Sequence, residues 1–432
     1  MNGQSRFGAA LAALGPFEEN PTLAVAWSGG GDSTALLALA HEWAAVQGGR
    51  VVALHVDHGL RANSAVEAAL LTQRAAHLGI ECRTLAWRSA KPETGIQNAA
   101  RQARRDLLVA ACRAHGIIHL LLGHHADDQD ETAAMRTARG AKTRGRAGMS
   151  AIVADRGVRL LRPLLEFRHV ALLDICRSRA LDWFEDPTNR DPRFLRARLR
   201  AGDVAPIDPA AAEARQSLEK SVAGWAARAA AVSPAGFVRL DRAVLRAASL
   251  DIALGVLARA ILCVGAAAYA PCDAALAQAW TILANADPGR HGRTLGYCRL
   301  EIERDGSLLV AREARTCAPA TALAHANAVF WDGRFVATQR SSAGGLEIVA
   351  LGVSGWASLP TKLRQQAAKS VPLAARASLP AIRDLDGIVA VPHLSYGRDG
   401  HWLDTVDVRF QPRHALTGPA FAVIGSIGSG NS

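Results

Sequence analysis

The six residues Ser28-Gly29-Gly30-Gly31-Asp32-Ser33 limit the fold more than any other stretch of the chain. They join an apolar, strand-like run, Thr22 to Trp27, to a helix-like run, Ser33 to Gln47. Three glycines let the backbone approach an anion closely and take positive φ without a Cβ penalty. The following helix aims its free N–H groups at the same point. A phosphate site after a first β-strand is therefore expected, with Ser28, Gly29, Gly30, Gly31, Asp32 and Ser33 as its wall. A Walker loop would also carry a lysine for the β and γ phosphates. This one carries only an aspartate and hydroxyls, so a departing pyrophosphate is expected rather than γ-phosphoryl transfer.

Around this loop the first half of the chain alternates apolar runs with helical patterns, which predicts βαβ units and a parallel sheet. Strands are expected at Thr22 to Trp27, Val51 to Val56, Glu81 to Trp87 and Ile117 to Leu122, with helices at Ser33 to Gln47, Ser64 to Leu78 and Ile96 to His115. Gly79 and Gly116 fall where helix C-caps belong. Each polar cluster of interest follows a strand, at the edge where open α/β sheets bind ligands. Pro206 and Pro209 mark a linker, and helical patterns follow to about residue 286. Residues 294 to 311 alternate like a hairpin about Asp305-Gly306, and 329 to 408 read as short strands between Gly and Pro turns. The expected organisation is an α/β catalytic domain over 1–200, a helical domain over 201–290, a small β-rich region over 291–424 and a disordered Gly/Ser-rich tail over 425–432. No internal repeat is evident.

At 432 residues the chain is long enough for two or three domains. It has no apolar run of membrane-spanning length, and residues 1 to 20 show no coherent apolar block, so a cytoplasmic protein without a membrane partner is expected. Seven scattered cysteines without a C-x-x-C pair suit reduced core thiols. A net charge of +11 favours a polyanionic partner. Only five of the fifty basic residues are lysine, so part of that excess reflects arginine bias and local clusters weigh more than the total. Between Ala133 and Ser150 five basic residues, among them Arg139, Lys142 and Arg144, stand around three glycines without an acid. This reads as a basic loop suited to nucleic acid. Arg193, Arg196 and Arg200 add a stripe at helical spacing.

Gly123 to Thr132, G-H-H-A-D-D-Q-D-E-T, packs four carboxylates into five positions at a helix start. A simple acidic first turn is favoured by the helix dipole. Asp128 and Glu131, however, share a face and lie at the same sheet edge as the phosphate loop. They suit a cationic substrate, deprotonation of an amine or, with Asp32, a Mg²⁺ ion. A zinc pair at His124 and His125 is not expected, because neighbours on a helix diverge. His55-Val56-Asp57-His58-Gly59-Leu60-Arg61 follows the second strand and suits an adenine pocket at His55. Arg101, Arg104 and Arg105 lie on the third helix, where a solvated face is the alternative.

In order along 28 to about 200, the motifs S-G-G-x-D-S (28–33), H-V-D-H-G-L-R (55–61), G-H-H-x-D-D-Q-x-E-T (123–132), R-P-L-L (162–165) and W-x-E-D-P-T-N (183–189) resemble the tRNA(Ile)-lysidine synthetase family of PP-loop ATP pyrophosphatases. The resemblance implies an adenine nucleotide alpha hydrolase-like N-terminal domain. It implies ATP as co-substrate with Mg²⁺, free lysine as second substrate, and an isoleucine tRNA with a CAU anticodon. ATP would lie on 28–33 with His55 and Gly123, and lysine at Asp128 and Glu131. Asp32, Arg104, Asp128 and Glu131 would do the chemistry, and Arg139, Lys142, Arg144, Arg193, Arg196 and Arg200 would meet tRNA. Oligomeric state is left open between monomer and homodimer. Departures are Arg105 where tyrosine is usual, Ala197 for a common asparagine, and Ala141, Lys142 and Arg146 within the glycine-rich loop. A PP-loop tRNA thiolase and a non-catalytic nucleotide-sensing RNA-binding module are the alternatives.

Overall fold

The computed structural model describes residues 2–59, 64–88, 91–92, 94–138, 147–185, 209–289, 292–325, 327–340, 344–400, 402–419, 421–422 and 424. Arg61, Arg139, Lys142, Arg144, Arg193, Arg196, Arg200 and the Gly/Ser tail lie outside the described residues. The chain divides into two compact units, Met1–Ser217 with Pro419–Ser432, and Leu218–Gly418.

The first unit is built on a six-stranded sheet of order β3-β2-β1-β4-β6-β5. Its strands are β1 (Thr22–Ala26), β2 (Arg50–Asp57), β3 (Glu81–Ala86), β4 (His119–Leu121), β5 (Ile152–Asp155) and β6 (Val158–Leu161). All neighbours pair in parallel except β5 and β6. Between them lie α1 (Gly3–Ala13), α2 (Gly31–Val46), α3 (Ser64–His77), α4 (Ile96–Ala114), α5 (Ala126–Ala138) and α6 (His169–Ser178). The expected strands and the first three interstrand helices form within a few residues of their anticipated ends. Gly79 and Gly116 take φ of 69° and 65° as helix-ending glycines. Leu36, Leu37 and Leu39 of α2, Leu71 of α3 and Leu172 of α6 share one core with Leu23 and Val25 of β1. Ala24 and Ala26 of the same strand point into a second core with Val109 and Cys112 of α4. Burial on both faces explains why β1 reads as an unbroken apolar run.

Because β1 lies between β2 and β4, the chain leaves its ends in opposite directions and opens a crevice beyond the strands' carboxyl ends. Both the phosphate loop and the acidic cluster start there. Helix α1 was not anticipated: the apolar positions Phe7, Leu11 and Leu14 are fully buried, but small and polar residues between them obscure the pattern. Asn2 caps the helix by accepting from the Ser5 N–H at 2.9 Å.

In the second unit, α7 (Pro209–Ala229), which begins in the first, runs into strands β7 (Ala230–Ser233) and β8 (Phe237–Leu240). These pair in the order β7-β8-β11-β10-β9 with β9 (Gly292–Leu295), β10 (Cys298–Ile302) and β11 (Leu308–Arg312). The expected hairpin about Gly306 is β10–β11. Helices α8 (Arg242–Arg246), α9 (Leu250–Gly265) and α10 (Asp273–Asn285) share a core with this sheet. The expected strands beyond residue 329 form two further antiparallel sheets. Trp331-Asp332-Gly333-Arg334 proves to be a structural knot in this unit. Arg334, fully buried, donates to Asp332 at 2.8 Å and to the carbonyls of Gly236 and Ser378, while Arg312 donates to Asp332 at 2.9 Å. Among the described residues, no helix is long and apolar enough to cross a membrane.

Arg105, the departure on α4, has a clear structural role. The β5–β6 turn, Arg156-Gly157, has positive φ at both positions, as a tight two-residue hairpin requires. It presents the fully buried Asp155, which accepts from Arg105 Nε at 2.5 Å and from Arg156 Nε at 2.8 Å. Burial opposes ionisation of Asp155, but the two guanidiniums outweigh it and hold its carboxyl below the usual range. A group shifted this way stabilises the fold above its unfolded pKa of about 3.9, and the gain is lost as pH falls through the folded value. Arg105→Tyr should therefore cost roughly 2 kcal/mol at neutral pH, by stripping one partner from a buried charge. Chemical denaturation of both proteins across pH should show the gap narrowing below about pH 4. A gap independent of pH would assign the loss to packing instead.

Candidate active site

The loop after β1 is tied by its own hydroxyls. Ser33 Oγ donates to the Gly30 carbonyl at 2.9 Å, accepts from the Ser28 N–H at 3.2 Å and lies 3.0 Å from Ser28 Oγ. Trp27 Nε1 donates to Thr34 Oγ1 at 3.1 Å, pinning the strand end to the first turn of α2. Gly29 has φ of 84°, and a Cβ there would stand 2.7 Å from Phe184 and 2.9 Å from Leu71. Phe184 N–H also donates to the Gly29 carbonyl at 2.8 Å. Trp183 and Phe184 thus form a floor beneath the glycines. Gly123, after β4, lies against Ser33, where a Cβ would stand 3.4 Å from its Cα.

Asp32 points across the crevice to two histidines. His169 Nδ1 is 2.7 Å from Asp32 Oδ1, and the buried His125 Nε2 is 3.5 Å from Asp32 Oδ2. Burial opposes the Asp32 charge, but both imidazoles outweigh it and hold the carboxyl far below the usual range. His125 is affected in reverse: burial lowers its pKa, and Asp32, Asp128 and Asp127 together raise it above the ordinary value. Asp128 Oδ2 lies 3.6 Å from the same His125 Nε2 and accepts from the His125 backbone N–H at 3.2 Å. Asp32 and Asp128, expected as partners for a cation, therefore flank one imidazole nitrogen. Oxygen donors of this kind suit Mg²⁺. Among the described residues, Asp32, His125 and His169 also bring one donor atom each within 4.8 Å of one another. With two nitrogens in three donors, that trio suits a borderline transition ion better than Mg²⁺.

The acidic helix is divided between tasks. Asp127 accepts from the His169 N–H at 2.8 Å, capping α6, and receives Arg168 at 3.3 Å. Asp130 takes Arg168 at 2.6 Å. Glu131 is 2% exposed, and Asp128 is nearly as buried. Of the four carboxylates, Asp127 and Asp130 are engaged in holding α5 to α6, while Asp128 meets His125. His124 diverges from His125 as expected and meets Arg162 Nε at 3.3 Å.

His55 lies on the other side of the phosphate loop. Its Nδ1 is 3.1 Å from the Trp27 carbonyl, and burial, with the nearby charge of Arg104, lowers its pKa. Among the described residues, no hydrogen bond or ion pair engages Arg104. Burial and the Arg101 charge also lower the Arg104 pKa. Burial, with Arg105, Arg101 and Arg136 nearby, pushes Arg162 down to about 10. Such a concentration of guanidiniums favours an anion. Sequence reading missed His169, Arg162 and the capping role of Asp127. His169 had no local signal, whereas Arg162 stood in the R-P-L-L motif.

A family model described as a PP-loop domain matches residues 4–206. The chain is 38% identical over 345 residues to a tRNA(Ile)-lysidine synthase of Mesorhizobium japonicum, covering 76% of this chain and 74% of that one. It is 35% identical to that of Caulobacter vibrioides, covering 87% and 86%. The match to the Orientia tsutsugamushi protein, 28% identical, covers 96% and 98%.

Gly29→Ala tests the loop. The substitution forces positive φ on a residue with a Cβ and drives that atom into Phe184, at a cost of about 1–3 kcal/mol. Calorimetric titration with ATP should show affinity reduced by roughly tenfold to a hundredfold. Unchanged affinity would remove this loop from the nucleotide site.

Proposed function

The chain belongs to the tRNA(Ile)-lysidine synthase family, and on that premise we propose that it joins free lysine to carbon 2 of the wobble cytidine of a CAU-anticodon isoleucine tRNA, consuming ATP. One observation carries this reading. Asp32 of the phosphate loop and Asp128 of the acidic helix flank the same nitrogen of His125, at 3.5 and 3.6 Å. That shared contact supports a nucleotide site set beside a site for a cationic amine.

In the first half-reaction the cytidine O2 attacks the α phosphorus of ATP, and pyrophosphate leaves from the 28–33 loop. The helix N-terminus and Arg104, which no hydrogen bond or ion pair engages among the described residues, suit the charge that develops on the phosphates. Adenylation turns the O2 into part of a good leaving group. In the second half-reaction the lysine ε-ammonium loses a proton, its Nζ attacks carbon 2, and AMP departs with the oxygen. Asp128 and Glu131 attract the ammonium, and Asp128 is positioned to accept the proton. Mg²⁺, held by Asp32 and Asp128, would neutralise phosphate charge. His55 and Gly123 border the nucleotide. Arg139, Lys142, Arg144, Arg193, Arg196 and Arg200 are assigned to the tRNA, with residues 1–200 as catalytic domain and the unit 218–418, in which the helices expected over 201–290 share a sheet and a core with the strands expected beyond 291, as the tRNA-binding part. The enzyme would work in the cytoplasm, where its three substrates meet. Sulfur transfer is disfavoured by the sequence, whose seven cysteines include no C-x-x-C pair.

Repeated pyrophosphate release should require ATP, lysine and the CAU-anticodon isoleucine tRNA together, with no more than one equivalent per tRNA when lysine is left out, and labelled lysine should not enter methionine tRNA. Asp32→Ala should abolish incorporation, and Asp128→Asn should raise the KM for lysine by roughly tenfold or more, the effect of losing one charge-assisted contact of about 1.4 kcal/mol or more. Turnover that ignores lysine would sink this reading.

A further inference from the structure

After the second unit the chain returns to the first, and its last described residues are built into it. The Ala151 N–H donates to the Ala422 carbonyl at 2.8 Å, and the Ala422 N–H donates to Ser150 Oγ at 3.1 Å. Ala422 and Ile424 lie in the same core as Leu23, Leu36 and Met149. Phe421, 2% exposed, is packed with Ala147 and Ala212, and the Arg215 guanidinium covers its ring at 4.0 Å. These contacts converge on residues 147–151. Gly148 carries φ of 68°, and its carbonyl accepts from both Arg215, at 3.0 Å, and Arg136 of α5, at 2.7 Å. Met149 exchanges two hydrogen bonds with the Gln129 side chain, at 2.5 and 3.1 Å. Gln129 stands between Asp128 and Glu131 in the chain.

We propose that Phe421, Ala422 and Ile424 form a strap that positions the acidic helix through 147–151, with Phe421 and Arg215 as positioning residues for the lysine site. The proposal rests on the amine site assigned above. The strap acts on the site through residues 147–151. It buttresses the strip against which Gln129 and Arg136 brace α5, and this strip follows directly on the arginine-rich run 139–146 in the chain. Without the strap, 147–151 loses one edge of hydrogen bonds and the aromatic side of its packing. The acidic helix then keeps its fold and loses its fixed depth in the crevice.

The test compares Phe421→Ala, Phe421→Tyr and Arg215→Gln in the full chain. Phe421→Ala should raise the KM for lysine about tenfold, which corresponds to about 1.4 kcal/mol, with ATP affinity within twofold of wild type. Phe421→Tyr keeps the ring beneath Arg215 and should restore both. Hydrogen exchange should quicken in Phe421→Ala over 126–138 and 147–151 and stay unchanged over 22–34. Arg215→Gln should reproduce the pattern in milder form, and combining it with Phe421→Ala should add little. Lysine KM unchanged, or lysine and ATP parameters shifting by the same factor, would overturn the proposal. Should wild-type turnover prove independent of lysine, the functional reading fails first, and the exchange pattern still decides whether the strap holds α5.

Discussion

Three helices begin at one place. Helix α2 starts at Gly31, α5 at Ala126 and α6 at His169, and the Asp32 carboxylate sits among their first residues. Each helix start carries unpaired N–H groups and about half a positive charge, so bringing three together is unfavourable without anions. Asp32, Asp127 and Asp128 supply them. Asp127 caps α6, Asp128 binds the His125 N–H at the start of α5, and Asp32 stands in the first turn of α2. The two imidazoles then prevent the carboxylates from repelling one another. This balance sets the free N–H groups of the glycine loop and the carboxylates of α2 and α5 in one crevice, an arrangement that suits the proposed phosphates and the proposed ammonium.

The absence of a lysine from the loop follows from the same arrangement. A loop lysine beside Asp32 and His125 would compete for the carboxylates that a cationic substrate needs. Cationic side chains stand instead on α4 and at the end of β6, as Arg101, Arg104, Arg105 and Arg162. Among the described residues, Asp155 is the acid that offsets Arg105 directly. Keeping the guanidiniums on elements separate from the carboxylates lets the positive and negative halves of the crevice coexist without neutralising each other.

The strands β1 to β4, the helices α2 to α4 and the sheet edge that carries the site were legible because each is encoded in adjacent residues: apolar runs, glycine caps and the phosphate loop. Contacts between distant residues were not. His169 lies 137 positions from Asp32, and no local pattern links them. Arg105 reads as half of a solvated stripe until a buried aspartate fifty positions later answers it. Helix α1 was hidden because three buried side chains among small residues make a weak periodicity. The β5–β6 hairpin closes the sheet with an antiparallel edge that a βαβ reading does not anticipate. Trp331 to Arg334 gave no local signal of its role, because its buried ion network is completed by Arg312, twenty positions from Asp332.

The return of the chain end to the first unit poses an entropic question, since closing a loop of some two hundred residues is costly if that loop is a free coil. Here it is not a free coil. Val222, near the start of the second unit, and Leu416, near its end, belong to one hydrophobic core. Folding of the second unit therefore brings its own two ends together before residue 419 is reached. Docking of the strap then requires ordering only a handful of residues, at about 1–2 kcal/mol each for the backbone. Burying Phe421, Ala422 and Ile424 and forming two backbone-directed hydrogen bonds offsets a cost of that size. Strap docking is thus thermodynamically linked to folding of the inserted unit: loosening the second unit would raise the entropic cost of holding Phe421, Ala422 and Ile424, and through Gln129 and Arg136 the disturbance would reach the carboxylates of α5.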